Sequence, residues 1–151
     1  MMIKDIAIEV LDKEQIDAIK PLWESLNKHH ENRSIHFKKR FQQFSFETRK
    51  TAFLNKEEIY ILIAKDKEKL IGYCISGKTH QQGEIESLFV ESTYRNVGIG
   101  KQFIRDAIKW LENQNVDEII LKVAAGNEQV VDFYRNFGFE ISTLKLKMMI
   151  D

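Results

Sequence analysis

Tyr94-Arg95-Asn96-Val97-Gly98-Ile99-Gly100-Lys101 is the segment of this chain best suited to hold an anion. It lies between an apolar run ending at Val90 and an amphipathic stretch beginning near Lys101. A glycine-bearing turn that opens a helix aims several backbone N–H groups at one point, and the helix dipole adds partial positive charge there. Phosphate binds readily at such a place, and glycine lets the backbone approach it closely. The segment is not a P-loop, because Gln102 follows Lys101 where serine or threonine is required. Nor is it a dinucleotide fingerprint, since Phe103 stands where the third glycine belongs. On spacing alone, the glycines also fit a plain strand-to-helix turn.

Two carboxylates, Glu84 and Glu86, lie two residues apart in a strand-like run and so project from one face. The pattern suits acid–base work or a solvated strand. His29 and His30 are adjacent and lack the i, i+4 spacing of a helical metal site, so no metal is expected. Cys74 is the single cysteine and sits between Tyr73 and Ile75, as a small core residue would.

The elements that must position these residues follow from periodicity. Ile3 to Val10 reads as a strand with Ile6, Ile8 and Val10 in alternation. Asp12 and Gln15 resemble a capping box before a helix carrying Ile16, Ile19, Trp23 and Leu26, which Pro21 should kink or split. Ser34 could cap a second helix bearing Phe37, Phe41 and Phe44. Ile59 to Ala64 is a continuous apolar run, as in a strand buried on both faces. Asp66 to Lys69 is a charged turn into a strand over 70–75, which makes a hairpin. Glu84 to Val90 is the next strand. In the helix Lys101 to Leu111, Ile104, Ala107, Ile108 and Leu111 oppose Lys101, Arg105, Lys109 and Glu112. A strand over 117–124, a short helix over 128–137 and one or two closing strands over 139–150 complete the chain. The fold expected is α/β (α+β): a mixed, mostly antiparallel sheet of six to seven strands flanked by about four helices.

With 151 residues and 17.8 kDa, the chain has the size of one domain, and no linker divides it. Lys+Arg 23 balance Asp+Glu 23, which argues against a nucleic-acid partner. No run approaches the ~18 apolar residues of a membrane span, and Met1 to Asp5 does not resemble a signal peptide. A cytoplasmic protein without membrane contact is expected.

Ile85-Glu86-Ser87-Leu88-Phe89-Val90 followed by Arg95-Asn96-Val97-Gly98-Ile99-Gly100 resembles the acetyl-CoA-binding core of the GCN5-related N-acetyltransferases (GNAT), with its [RQ]-x-x-G-x-[GA] loop after a strand. Asn127 and Phe133-Tyr134-Arg135-Asn136-Phe137-Gly138-Phe139 resemble the second motif, an asparagine followed by F-Y-x-x-x-G-F. The resemblance covers about residues 58–150. The chain departs from many members at Asn96, where they carry glycine, and at Val130, where they carry alanine. Asparagine tolerates left-handed backbone, so the loop should be intact.

The resemblance implies acetyl transfer from acetyl-CoA, the cosubstrate, to an amine in one domain spanning 1–151, with 58–150 as the acetyl-CoA core and 1–56 on the acceptor side. Arg95, Asn96, Val97, Gly98, Ile99, Gly100 and Lys101 would contact the pyrophosphate, and Leu88, Phe89 and Val90 the pantetheine arm. Asn127 and Phe133 would also line the cofactor, Asn127 alternatively capping its helix. Tyr134 occupies the position of the general acid. A phenol is protonated at neutral pH and can donate to the leaving thiolate. Glu86 is favoured over Glu84 as the base that the attacking amine needs. A small-molecule amine is the expected acceptor, with a peptide N-terminus or a non-catalytic acyl-CoA sensor as the alternatives, and a homodimer is a family-based expectation. Residues 28–50 carry Lys28, Arg33, Lys38, Lys39, Arg40, Arg49 and Lys50 against Glu31 and Glu47. They read either as a positively rimmed pocket around Phe37, Phe41 and Phe44 or as a solvated face over core aromatics.

Overall fold

The computed structural model describes residues 5–150. Five strands form one sheet in the order β1 (Ile6–Leu11), β2 (Glu58–Asp66), β3 (Lys69–Thr79), β4 (Gln82–Val90) and β5 (Glu118–Leu121). The first four run antiparallel, while β5 lies parallel to β4. A parallel neighbour needs a crossover, which α4 (Ile99–Glu112) provides. The other helices are α1 (Lys20–Arg33), α2 (Lys38–Gln43), α3 (Phe46–Leu54) and α5 (Val131–Arg135).

The apolar run of β2 is divided between two cores. Leu62 and Ala64 pack under α4 with Phe103, Ile104, Ala107 and Leu111. Ile61 and Ile63 pack on the opposite face with Ile19, Trp23, Phe46 and Phe53. Each leucine, isoleucine or phenylalanine among them, fully buried, contributes about 1.5–3 kcal/mol. Lys101, Arg105, Lys109 and Glu112 are exposed, as the helical periodicity requires.

Pro21 stands in the first turn of α1, directly after a 3-10 segment over Lys13–Ile19. There its missing N–H costs nothing, so the proline divides the segment as expected. Asp12 caps the 3-10 turn by accepting from Glu14 N at 3.0 Å. The single helix expected after Ser34 is two. Ser34 Oγ accepts from Phe37 N, and Ser45 Oγ accepts from Thr48 N to start α3. That second cap makes five helices rather than four.

The sheet has five strands, not six to seven. Residues 140–150 form no strand and are exposed. Alternating apolar residues need a partner strand for their backbone groups, and among the described residues none lies beside them. β1 begins at Ile6, so the Ile3 and Lys4 of the expected strand lie outside the described residues.

Candidate active site

Between β4 and α4 the chain passes through two left-handed residues, Asn96 (φ 65°) and Gly98 (φ 94°). Gly98 is the residue immediately before α4 and has no side chain to cap it. The first N–H groups of a 14-residue helix therefore face outward from a glycine corner. Ile99 is buried and anchors the first turn from beneath. Val97 packs against the same core, and Lys101 is exposed. A Cβ on Gly100 would stand 3.8 Å from Phe133 Cζ, so the loop lies against the α5 region.

β4 changes character at Glu86. Its pairing with β5 covers Gln82 to Ile85 only, Ile85 lying opposite Leu121. On the other side, the register with β3 jumps from Ser87–Ile75 to Ile85–Ser76, leaving Glu86 as the extra residue of a β-bulge. The bulge reverses the alternation. Ile85, Leu88 and Val90 all pack toward α4, whereas Phe89 packs toward α1 and α3. Beyond Ile85, β4 has no ladder partner on its β5 side among the described residues. The strands open into a wedge next to the Gly98 corner. Arg95 reaches back into this region, its Nε donating to Val90 O at 2.8 Å with the guanidinium over the Phe89 ring.

Glu86 has a side chain only 5% exposed, with Lys56 Nζ 3.3 Å from Oε2. That oxygen has no well-aligned hydrogen bond. Burial pushes its carboxyl up from the usual range, Glu84 pushes the same way, and Lys56 opposes both. Glu84 is itself 3.7 Å from Lys122 Nζ. The two glutamates are in electrostatic contact. Lys56 and Lys122 are the partners that sequence reasoning missed. Each lies far along the chain from its glutamate, and no local pattern ties them.

Tyr134 is half-buried between Phe133 (ring centroids 5.3 Å) and Phe139 (6.2 Å). Burial pushes its phenol up to about 12, so it holds its proton at neutral pH. Asn127 does not cap the following turn: its Oδ1 accepts from Gln129 Nε2 at 2.7 Å. The residue before it, Gly126, has φ 96°, and a Cβ there would lie 2.4 Å from Arg33 O. Arg33 Nε donates to Gly126 O at 2.9 Å, closing the clamp between α1 and the loop after β5. Only the Gly-Asn pair hinted at this turn. The clamp brings basic groups together near Asn127: burial, then Arg33 and Arg95, hold the His29 imidazole below its usual range.

The fold has known counterparts. Residues 19–139 match the Acetyltransferase (GNAT) family. The chain belongs to that family. Among curated relatives, N-alpha-acetyltransferase 30 of Dictyostelium discoideum is 33% identical over 91 residues, which is 58% of this chain and 49% of that protein. The match thus spans about half of that relative's length. Among solved structures of the same fold is a PaiA N-acetyltransferase from Thermoplasma acidophilum in complex with coenzyme A, with a TM-score of 0.75 and 22% identity over 93% of this chain and 92% of that one. Another is an aminoglycoside acetyltransferase from a soil metagenome in complex with sisomicin, with a TM-score of 0.70 and 18% identity over 98% of each chain. The family is one of acetyltransferases.

The pocket read around Phe37, Phe41 and Phe44 takes a different form. A groove of about 340 Å³ is lined by Trp23, Phe41, Phe44 and Phe46, without Phe37. Its charges are mixed, with Glu24, Glu31 and Glu47 beside Lys20 and Lys28, so it has no positive rim. Neither Glu84, Glu86 nor Tyr134 lines it. Most of the basic residues of 28–50 are solvated, and Phe41 and Phe46 are core side chains.

Proposed function

We propose that the chain transfers an acetyl group from acetyl-CoA to a primary amine by direct attack in a ternary complex, with a small-molecule amine as acceptor. The observation that carries this reading is the wedge between β4 and β5, which opens at a bulged, buried glutamate and beside the glycine corner of α4. The unpaired backbone of Leu88, Phe89 and Val90 suits the amide-rich pantetheine arm. Backbone N–H groups from Arg95 to Lys101 suit the pyrophosphate. Asn127 and Phe133 flank the same cleft.

An alkylamine is mostly protonated at neutral pH and must lose a proton to attack. Glu86, held beside Lys56, accepts that proton directly or through water, and Glu84 raises its affinity for protons. The amine nitrogen bonds to the thioester carbonyl carbon, a strand N–H stabilises the oxygen, and the C–S bond breaks. Tyr134 gives its proton to the departing sulfur, and its phenolate is reprotonated by the second proton that the new amide nitrogen sheds. An acyl-enzyme route has no support at Cys74, whose thiol burial pushes up to about 12.

A peptide N-terminus is the second reading, favoured by the curated N-alpha-acetyltransferase relatives. The deciding experiment follows CoA release from acetyl-CoA over polyamines, aminoglycosides, amino acids and short peptides, with hydrolysis alone as the blank. Acceptor-dependent release with free amines supports the first reading, and release confined to peptides overturns it. Binding of acetyl-CoA without release on any acceptor would point to a sensor module.

A further inference from the structure

Two arginines on the α1 face of the sheet are anchored by backbone and lack a counter-ion. Arg33, the last residue of α1, donates its Nε to Gly126 O at 2.9 Å. Arg95 donates its Nε to Val90 O at 2.8 Å and lays its guanidinium over the Phe89 ring, 5.6 Å from the centroid. Phe89 packs toward α1 and α3, so this side chain lies on their side of the sheet and not with α4. With Nε taken, each guanidinium keeps its two Nη groups for another partner. Among the described residues, no carboxylate forms an ion pair with either. Glu128, two residues beyond Gly126, turns both oxygens to Gly126 N at 2.6 and 3.0 Å. Other cations nearby in the chain do have acids: Lys28 pairs with Glu31, Lys50 with Asp17 and Lys56 with Glu86. His29 lies one turn before Arg33 on the same face of α1. Both guanidinium groups are within electrostatic reach of its imidazole, which burial and then these charges keep neutral at pH 7.

We propose that Arg33 and Arg95, with His29, recognise an anionic group on the acceptor, so that the substrate is a small primary amine bearing a carboxylate or a phosphate. The inference rests on the acetyl-transfer reading above and narrows its acceptor class. Like charges brought together repel unless an anion stands between them. The guanidinium fork matches the oxygens of a carboxylate or a phosphate, and Nε anchoring fixes its direction before the ligand arrives. Neutral His29 adds one further N–H donor. The side of the sheet separates this anion from the phosphates of the cosubstrate. Those are assigned to backbone N–H groups at the α4 corner, whereas the Arg95 side chain turns to the α1 face. The acceptor's amine is assigned to Glu86, whose partner Lys56 comes from the link between α3 and β2 on that same face.

The test compares matched acceptors on the full chain: amino acids against their carboxamides, and phosphoethanolamine against ethanolamine. The anionic member of one pair should have a KM lower by about tenfold or more, and the pair that shows it identifies the anion as carboxylate or phosphate. Arg33→Gln should bring that pair within about threefold, with acetyl-CoA affinity changed by less than about twofold, and Arg33→Lys should restore part of the preference. A second readout needs no turnover. Acetate or inorganic phosphate, titrated into the chain with CoA bound, should move the ¹⁵N ring signals of His29, identified by their loss in His29→Gln, and should not move them in Arg33→Gln. Equal KM within every pair, or a preference that survives Arg33→Gln, would overturn the proposal. So would a loss of acetyl-CoA affinity in Arg33→Gln with the preference intact, which would give Arg33 to the cosubstrate's phosphates. No transfer to any amine, with the His29 signals still moving, would overturn the acetyl-transfer reading and uphold the anion site. No transfer and no movement would overturn both.

Discussion

The two sides of the wedge are built from different materials. The α4 side presents backbone: a left-handed Gly98, the first N–H groups of a helix, and an unpaired strand. The α1–α3 side presents side chains: Glu86 from a bulge, Lys56 from the link between α3 and β2, and Glu84 with Lys122. A backbone site needs particular conformations at fixed spacing, and glycines record them in the sequence. A side-chain site needs only that distant residues converge, and convergence leaves no local record. The first side is proposed to hold the cofactor and the second to activate the acceptor, so substitutions should separate binding from turnover.

The largest separation is expected at Tyr134, which packs against the core on the α4 side. Tyr134→Phe keeps the packing against Phe133 and Phe139 and removes only the proton donor. Turnover should fall by about 100-fold or more while the dissociation constant of acetyl-CoA stays within about twofold, measured by single-turnover kinetics and calorimetry. Equal losses in both would make Tyr134 a packing residue.

On the backbone side, Gly98→Val should act on binding. A branched residue at φ 94° costs about 1–2 kcal/mol and blocks the approach to the helix start. Acetyl-CoA should bind about tenfold more weakly, with turnover at saturation close to normal. Tight binding in this variant would remove the corner from the cofactor site.

Gly126→Ala tests what holds the two sides together. The added methyl meets Arg33 O at 2.4 Å at a positive φ, a strain of about 1–3 kcal/mol. The melting temperature should drop by several degrees, and Arg33→Ala should fall less because it loses only a partly exposed hydrogen bond. Unaltered melting of Gly126→Ala would mean that α1 is not clamped there.

The smallest effects should be opposed pH shifts on the side-chain side. Lys56 lowers the affinity of Glu86 for protons, and Glu84 raises it. Lys56→Met should therefore move the acid limb of kcat/KM to higher pH, because the base protonates sooner as pH falls. Glu84→Gln should move it to lower pH. Shifts in the same direction would exclude Glu86 as the group seen in the profile.

The same division explains what could be read from the chain. The strand run Ile59 to Ala64, the stripe of α4 and the loop Arg95 to Lys101 are local patterns, and each stands in the fold as periodicity and glycine spacing require. The bulge at Glu86 escaped reading because the pattern of β4 carries no signal for one extra residue. Asn127 as a helix cap was locally reasonable, yet its side chain turns to Gln129 instead. The split between α2 and α3 at Ser45 lay in plain view as a cap, but the phenylalanine spacing of 37, 41 and 44 masked it. The expected closing strands over 139–150 have the right alternation and lack only a partner.

Taken alone, the sequence determined the alternation of strands and helices, the helix-opening glycine corner and the family motifs, because each depends on neighbours a few residues apart. Tertiary structure alone decided that β4 leaves β5 after Ile85, that Lys56 faces Glu86, and that Gly126 locks onto Arg33. These depend on which distant segments pack together, and packing is settled by the burial of the whole chain rather than by any stretch of it.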